Sequence, residues 1–248
     1  MVYDAVVLAG GDLKGITGEK AEARGLIEIK NKPMLEYIID ALNSSSLIDK
    51  IVVVVPAKVE MGKLANKVSG VVKSDGTLTQ NLYRGIEYLK TTNMVLVLSS
   101  DIPLITSEAI DDFFKECESK KAQVCYSVVS KEAIEEKFGN SRRTYVKLRD
   151  GAFTGGNVFL FDPKVVKNNI GLIEEAYEAR KSPFKLARMM GLKFIFKFLF
   201  RQLTIEELEE RISSLIKAEG KAVVTAYPEI GMDVDKNSDL ELARKMLQ

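Results

Sequence analysis

The residues DAVVLAGG, numbered 4–11, decide the fold. Ala5 to Leu8 form a short apolar run, and Ala9, Gly10 and Gly11 follow it with a turn that carries no bulky side chain. Backbone N–H groups in such a turn can approach a phosphate closely. A second apolar run, Met94 to Leu98, leads into Ser99, Ser100, Asp101, Ile102 and Pro103, where a carboxylate could hold Mg²⁺ on that phosphate. Both features stand at the carboxyl end of an expected parallel strand, which is where open α/β sheets bind ligands. Glycine also serves the plain geometry of strand-to-helix turns, so the pair of features says more than either alone.

The chain has 248 residues, 46% of them hydrophobic, a length that suits a single α/β domain with an elaboration better than two independent domains. Its 36 Lys and Arg nearly cancel its 35 Asp and Glu, so no global field marks nucleic acid or an acidic membrane as partner. Any phosphate recognition must be local. Histidine is absent, which removes the commonest general base, the commonest zinc ligand and every Ser-His-Asp or Cys-His mechanism. Chemistry is left to Asp, Glu, Lys, Arg, the backbone and bound metal. Cys117 and Cys125 lack metal-ligand spacing and read as small buried apolar residues. No charged leader precedes a long apolar segment, and no run reaches the ~18 apolar residues of a membrane span. The expectation is a soluble, cytoplasmic protein.

Four apolar runs organise the first half: Ala5 to Leu8, Ile51 to Val55, Val71 to Val72 and Met94 to Leu98. Helical patterns alternate with them, beginning at Pro33, over Leu78 to Lys90, and over Ser107 to Ser119 with Thr106 or Ser107 as N-cap. The alternation implies βαβ units and a parallel sheet. After Ala122 the rhythm changes to a strand over Gln123 to Ser130, a helix over Lys131 to Phe138, and strands over Thr144 to Leu148 and Asn157 to Phe161, which suggests a mixed sheet. Residues from about 163 to 220 read as a helical insertion within one domain spanning 1–248, with breaks at Ser182-Pro183 and Gly191. A last strand, Ala222 to Ala226, leads to Met232-Asp233-Val234-Asp235 and a helix from Asn237.

The turn Leu8-Ala9-Gly10-Gly11, with Lys14, Arg24 and the helix start Lys32-Pro33-Met34-Leu35, resembles the nucleotidyltransferase superfamily of the GT-A type. Within it the chain is most similar to the MobA-like NTP transferases, the group that includes molybdenum-cofactor guanylyltransferase. The likeness covers most of the chain outside the helical region. It implies a three-layer α/β/α fold with a mostly parallel mixed sheet and an appended helical subdomain, Mg²⁺ as cofactor, and a nucleoside triphosphate and a small anionic acceptor as partners. Family members usually show Leu-Ala-Ala/Gly-Gly-x-Gly-x-Arg and then Pro-Lys-x-Leu. Gly10 and Gly11 match, whereas Leu13 stands at the later Gly, Gly15 at the Arg, and Lys14 one place early. Ala23-Arg24-Gly25-Leu26 occupies the Pro-Lys-x-Leu position, so Arg24 would inherit the pairing with the triphosphate; it keeps the charge but replaces a compact ammonium by a planar fork.

The same resemblance gives Asp101 the metal-holding place at a strand end and draws a second ligand from Asp233 or Asp235, which period-two spacing sets on one side of an extended segment. Asp239 suits the following helix start. Asp75, Gly76, Thr77 and Asn81 lie where the superfamily recognises base and ribose, although Thr77 is also an ordinary N-cap residue. Thr154-Gly155-Gly156-Asn157 looks like an acceptor-side turn in which Gly156 and Asn157 meet the second substrate, with Arg142, Arg143 and Lys147 as a nearby basic cluster. A plain turn and plain surface charge explain these residues too. Leu192 to Leu203 (LKFIFKFLFRQL) places Lys193, Lys197 and Arg201 four apart on a greasy helix. That helix reads as core packing, an apolar acceptor pocket, a homo-oligomer interface or a membrane-surface helix.

The leading expectation is a Mg²⁺-dependent nucleotidyltransferase in which an acceptor oxyanion attacks the α-phosphorus of a nucleoside triphosphate and pyrophosphate departs. Two rivals remain: a nucleotide-binding regulator that lost its chemistry with the Leu13 and Arg24 departures, and a nucleotide-sugar glycosyltransferase. The second commonly shows Asp-x-Asp at the metal strand, where this chain reads Ser99-Ser100-Asp101.

Overall fold

The computed structural model describes residues 2–139, 141, 143–179 and 189–247. Strand β1 (Tyr3–Leu8) is followed by a small ribbon, β2 (Glu28–Ile29) with β3 (Lys32–Pro33), and then by α1 (Met34–Ser44) and β4 (Ile48–Val55). Next come β5 (Gly70–Lys73), α2 (Leu78–Leu89), β6 (Val95–Ser99) and α3 (Ser107–Lys120). The remainder holds β7 (Val124–Ser130), α4 (Lys131–Phe138), β8 (Val146–Leu148), β9 (Gly151–Phe161), α5 (Pro163–Asn168) and α6 (Ile170–Ala179). It closes with α7 (Leu192–Leu199), α8 (Ile205–Ile216), β10 (Gly220–Val224) and α9 (Asn237–Met246).

The main sheet has the order β10-β7-β9-β6-β1-β4-β5, with β8 paired to β9. Strands β6, β1, β4 and β5 are parallel, while β9 runs antiparallel to both β6 and β7. Side-chain alternation explains the uninterrupted apolar runs, because both faces of the central strands are covered. Ala5 and Val7 pack with Leu35, Ile38 and Leu42 of α1 and with Ile110, Phe113 and Phe114 of α3. Val6 faces the opposite way, against Leu82 and Ile86 of α2 and Val166 of α5. A Cβ on Gly85 would stand 2.6 Å from Val6 Cγ1, so that glycine lets α2 lie close on β1. The result is the expected three-layer α/β/α arrangement on a mostly parallel mixed sheet. Cys117 and Cys125 are both buried in the larger core, as small apolar residues would be.

The helical stretch after residue 163 is present, and its first two helices pack beside α2 on the sheet. Helix α8 lies against β10, opened by Thr204 in a reciprocal cap with Glu207. Ser182-Pro183 and Arg142 fall outside the described residues. Strand β9 begins six residues before the expected Asn157, and that extension absorbs the whole Thr154–Asn157 segment. No helix among the described residues is long and apolar enough to cross a membrane.

Candidate functional site

Because β1, β4, β5 and β6 are parallel, their carboxyl ends share one edge, and there the chain leaving β1 turns toward β4 while the chain leaving β6 turns the other way, toward β7. Leu8 pairs with Ser99, and the Ser100 N–H donates to the Leu8 carbonyl at 3.2 Å. Gly10 and Asp101 therefore start from the same rung of the ladder, each two residues beyond it. Ala9 is buried and its N–H donates to Val54 at 2.8 Å, which fixes the base of the turn. Gly10 and Gly11 are exposed. A Cβ on Gly10 would meet Asn81 Nδ2 at 3.7 Å, and one on Gly11 would meet the Arg24 side chain no closer than 3.5 Å. Neither glycine has a positive φ, so nothing inside the chain demands glycine at either position. What they keep clear is the space above the turn.

The C-terminal acidic segment reaches the same edge by direct backbone pairing: the Val234 N–H donates to the Asp101 carbonyl at 2.8 Å. Val234 itself is buried with Ile16, Ile27, Ile29 and Met34, which leaves Asp233 and Asp235 to face the other way. Arg24 lies between the two acidic segments. Its N–H donates to the Gly11 carbonyl at 2.8 Å, and its Nε donates to the Asp12 carbonyl at 2.9 Å. Its Nη1 donates to Asp101 Oδ2 at 3.1 Å and also to Asp235 Oδ1. Burial works against the Arg24 charge, but Asp101 and Asp235 outweigh it and raise the pKa above its ordinary value.

Asp101 Oδ1 is buried and has no hydrogen-bond partner. An unpartnered carboxylate oxygen in such a place is costly, and a hard divalent cation would satisfy it. Among the described residues no group of three or more Asp, Glu, His or Cys side chains is by itself arranged to hold a metal. Asp101 with Asp233 or Asp235 would supply two carboxylates, a number that suits Mg²⁺ sites in which substrate phosphates and water provide the rest.

Asp233 is held from the far side by Arg143, whose Nη1 pairs with Oδ1 and whose Nη2 donates to the Asp233 carbonyl at 2.6 Å. Burial nonetheless raises the Asp233 pKa from 3.8 to about 6, with the nearby Asp235 and Asp101 charges adding to it against Arg143. A carboxyl raised in this sense binds its proton more tightly folded than unfolded. Between about pH 4 and pH 6 the folded chain carries the extra proton, so stability falls as pH rises through that window. Wild-type thermal midpoints, measured from pH 4 to 7 beside those of Asp233→Asn, are expected to decline relative to the variant up to about pH 6 and then run level. A constant difference across the range would refute the assignment.

The loop between Gly11 and Arg24 is pinned to the C-terminal segment. Asn237 accepts from the Thr17 N–H at 2.9 Å and donates to its hydroxyl at 2.8 Å. Gly15 has φ +92°, and a Cβ there would stand 2.5 Å from the Asp235 carbonyl. Leu13 packs against the cluster containing Ile16 and Val234, which gives an apolar reason for its replacement of the family's glycine. Lys14 is exposed at the rim and forms no ion pair among the described residues. Asp239 Oδ2 accepts from the Asp235 and Lys236 N–H groups at 3.1 and 3.2 Å, the helix-start role expected of it.

On the β5 side, Asp75 accepts from the Ala57 N–H at 2.9 Å, and Thr77 forms a reciprocal cap with Gln80. Gly76 lies under Gln80, whose Oε1 a Cβ would approach to 2.7 Å. These three side-chain positions serve local structure, and Asn81 is the member of the group that reaches Gly10. Sequence reading missed Ser74 and Arg84. Ser74 is buried, shares a hydrogen bond with Asn81 and accepts from Arg84 Nη1 at 2.6 Å. Its place immediately after β5, on the ligand-binding edge, was the available signal.

The expected acceptor turn is corrected: Gly156 and Asn157 lie within β9, and their surroundings are filled. A Cβ on Gly156 would come to 2.1 Å from Ser127 Oγ, and Asn157 Nδ2 donates to the Ile230 carbonyl at 3.2 Å. Strand packing accounts for that glycine. Gly156→Ala is accordingly expected to lower unfolding stability by about 1–3 kcal/mol in urea titrations, whereas Gly10→Ala should stay within about 0.5 kcal/mol of wild type. Equal effects would contradict this division between a packed and an open glycine.

A family model for the MobA-like NTP transferase domain matches residues 5–188. A solved structure described as a hypothetical transferase from Thermus thermophilus has a TM-score of 0.83 and 33% identity, covering 97% of this chain and 100% of that one. The 2-C-methyl-D-erythritol 4-phosphate cytidylyltransferase of Clostridium acetobutylicum is 28% identical over 130 residues, 49% of this chain and 56% of the relative. The chain thus spans about half the length of the curated relatives it matches. CMP:2-keto-3-deoxy-manno-octonic acid synthetase complexed with CTP has a TM-score of 0.63 at 14% identity, covering 100% of this chain and 98% of that one, a likeness of fold alone.

Proposed function

The chain belongs to the MobA-like NTP transferase domain family, and from that membership we propose that it is a Mg²⁺-dependent nucleotidyltransferase that moves a nucleoside monophosphate from a triphosphate to a small anionic acceptor. The observation that carries this reading is the meeting of Asp101 with the Asp233–Asp235 segment through the Val234 to Asp101 hydrogen bond, beside the open Gly10-Gly11 turn. Backbone N–H groups of the turn receive the triphosphate. Arg24 and Lys14 neutralise its β and γ phosphates, and Asn81, supported by Ser74, borders the nucleoside side. Asp101 and Asp233 or Asp235 would hold the metal. Mg²⁺ bound there supplies charge neutralisation for the phosphates and for the departing pyrophosphate.

The acceptor oxyanion forms a new bond to the α-phosphorus as the bond to the bridging oxygen breaks, and the electron pair leaves with pyrophosphate. An acceptor that is already an anion requires no base, so the absence of histidine is no obstacle. Catalysis then consists of positioning and charge stabilisation by fixed groups. Among bases we place cytosine first, because the Clostridium acetobutylicum relative is named a cytidylyltransferase.

Calorimetry with CTP, GTP, ATP and UTP in the presence of Mg²⁺, followed by pyrophosphate release with a set of sugar and polyol phosphates, tests the reading. Tight binding of one triphosphate with acceptor-dependent release supports it. Binding with no release from any acceptor favours the regulatory alternative, and no triphosphate binding removes the site.

A further inference from the structure

Helix α7 and the residue after it turn four large apolar side chains to solvent. Phe196, Leu199 and Phe200 are 60%, 66% and 71% exposed, and Phe198 is also exposed. The helix is fastened in this attitude. Lys197 pairs with Glu207 of α8, the Gln202 N–H donates to the Lys197 carbonyl at 2.7 Å, and Leu203 is buried just beyond. Core packing, one of the readings of the LKFIFKFLFRQL stretch, therefore does not describe the outer face.

Charge is segregated to the same stretch of the sequence. Between Glu178 and Glu206 the sequence contains Arg180, Lys181, Lys185, Arg188, Lys193, Lys197 and Arg201 and no Asp or Glu at all. The whole chain carries only +1, so the remainder of it is net acidic. Glu207 pairs with Lys197 and also lies within reach of the Lys193 charge, and both Lys193 and Arg201 are exposed at the two ends of the apolar face.

We propose that α7 and its basic flanks dock the protein on an anionic lipid surface. Aromatic and aliphatic side chains of a short amphipathic helix enter the boundary between headgroups and acyl chains while the flanking cations meet lipid phosphates. Eight helical residues lie on a bilayer and do not span it. A second copy of the chain fits the face poorly, since a symmetric pairing would bring Lys193 and Arg201 toward their own counterparts or leave them unpaired. A nucleic acid would use the cations but gives no reason for Leu199 and its neighbouring phenylalanines to stand together in water. This inference is independent of the nucleotidyltransferase reading.

The test is sedimentation of the full chain with phosphatidylcholine vesicles and with vesicles containing roughly one-third phosphatidylglycerol, at low and high salt. Each cation near an anionic surface is worth about fivefold in partitioning, so wild-type partitioning is expected to rise at least about tenfold on anionic vesicles and to fall with salt. Phe196→Ser with Phe200→Ser, and separately Lys193→Glu with Arg201→Glu, should each remove at least about tenfold of it. Melting curves identify any variant that is misfolded, and the comparison of vesicle compositions needs no variant. Equal partitioning on the two vesicle types overturns the proposal. So does undiminished binding by both folded variants, or vesicle-independent dimerisation or oligonucleotide binding in place of lipid binding.

Discussion

Asp101→Ala is expected to lower turnover by about 10³-fold or more while the protein remains folded. The fold tolerates the change because the structural duties around position 101 belong to other groups. The Val234 N–H binds the Asp101 main-chain carbonyl, which alanine retains. Thr106, and not Asp101, caps α3 by accepting from the Ala109 N–H. Arg24 keeps its contacts with Asp235 and the Asp12 carbonyl, and the unpartnered Asp101 Oδ1 disappears. The catalytic cost arises because the carboxylate is the contribution of β6 to the proposed metal site, and residues 99–104 contain no other acid that could replace it from that strand. Asp101→Asn keeps the shape and should be nearly as inactive, since a neutral amide is a poor Mg²⁺ ligand. Pyrophosphate release and thermal unfolding measured on the same preparations separate these effects. A folded variant with unchanged kinetics would remove Asp101 from the reaction.

Arg24→Ala should produce two changes of opposite sign. Triphosphate affinity is expected to fall about 10²-fold, as for loss of a charge-assisted, bidentate phosphate contact in a partly buried place. Divalent-cation affinity measured without nucleotide should rise. The guanidinium, only 12% exposed, rests on Asp101 and Asp235, the carboxylates a metal would take. Its positive charge competes with a cation there until phosphate oxygens offer it an alternative. Mn²⁺ binding followed by electron paramagnetic resonance, with and without triphosphate, reads both effects. A residue that merely braced the loop would weaken both kinds of binding together. Arg24→Lys should recover part of the nucleotide affinity, because charge is restored without the fork that spans two partners.

The sheet was legible because burial on both faces leaves an unmistakable pattern: Ala5 to Leu8 and Met94 to Leu98 have no polar alternation, and each ends where the chain must change direction. The C-terminal acidic segment was legible for a related reason. Val234 is the apolar residue between Asp233 and Asp235, and its burial fixes which way both carboxylates face. Partnerships were far less legible. Arg24 was expected to await phosphate, and Arg143 to await an acceptor, yet in the folded chain Arg24 lies on Asp101 and Asp235 and Arg143 on Asp233. Sequence states that a charge exists, and only the fold states which opposite charge comes within reach at a sequence separation of 77 or 90. Gly155 and Gly156 misled in another way. They look like a turn, but each lies in β9 beneath a β7 side chain, Tyr126 and Ser127, whose size could not be matched to them without the register. Leu192 to Leu203 showed its amphipathic character plainly, while its outward orientation depends on the contact between Lys197 and Glu207.

The most direct measurement is anomalous diffraction from crystals soaked with Mn²⁺ and CTP. The expected result is a Mn²⁺ peak within about 2.0–2.3 Å of an Asp101 oxygen and of an Asp233 or Asp235 oxygen, with triphosphate density over Gly10 and Gly11 and Arg24 turned toward it. Triphosphate bound elsewhere, or Mn²⁺ seated with Arg24 still bridging Asp101 and Asp235, would contradict the account.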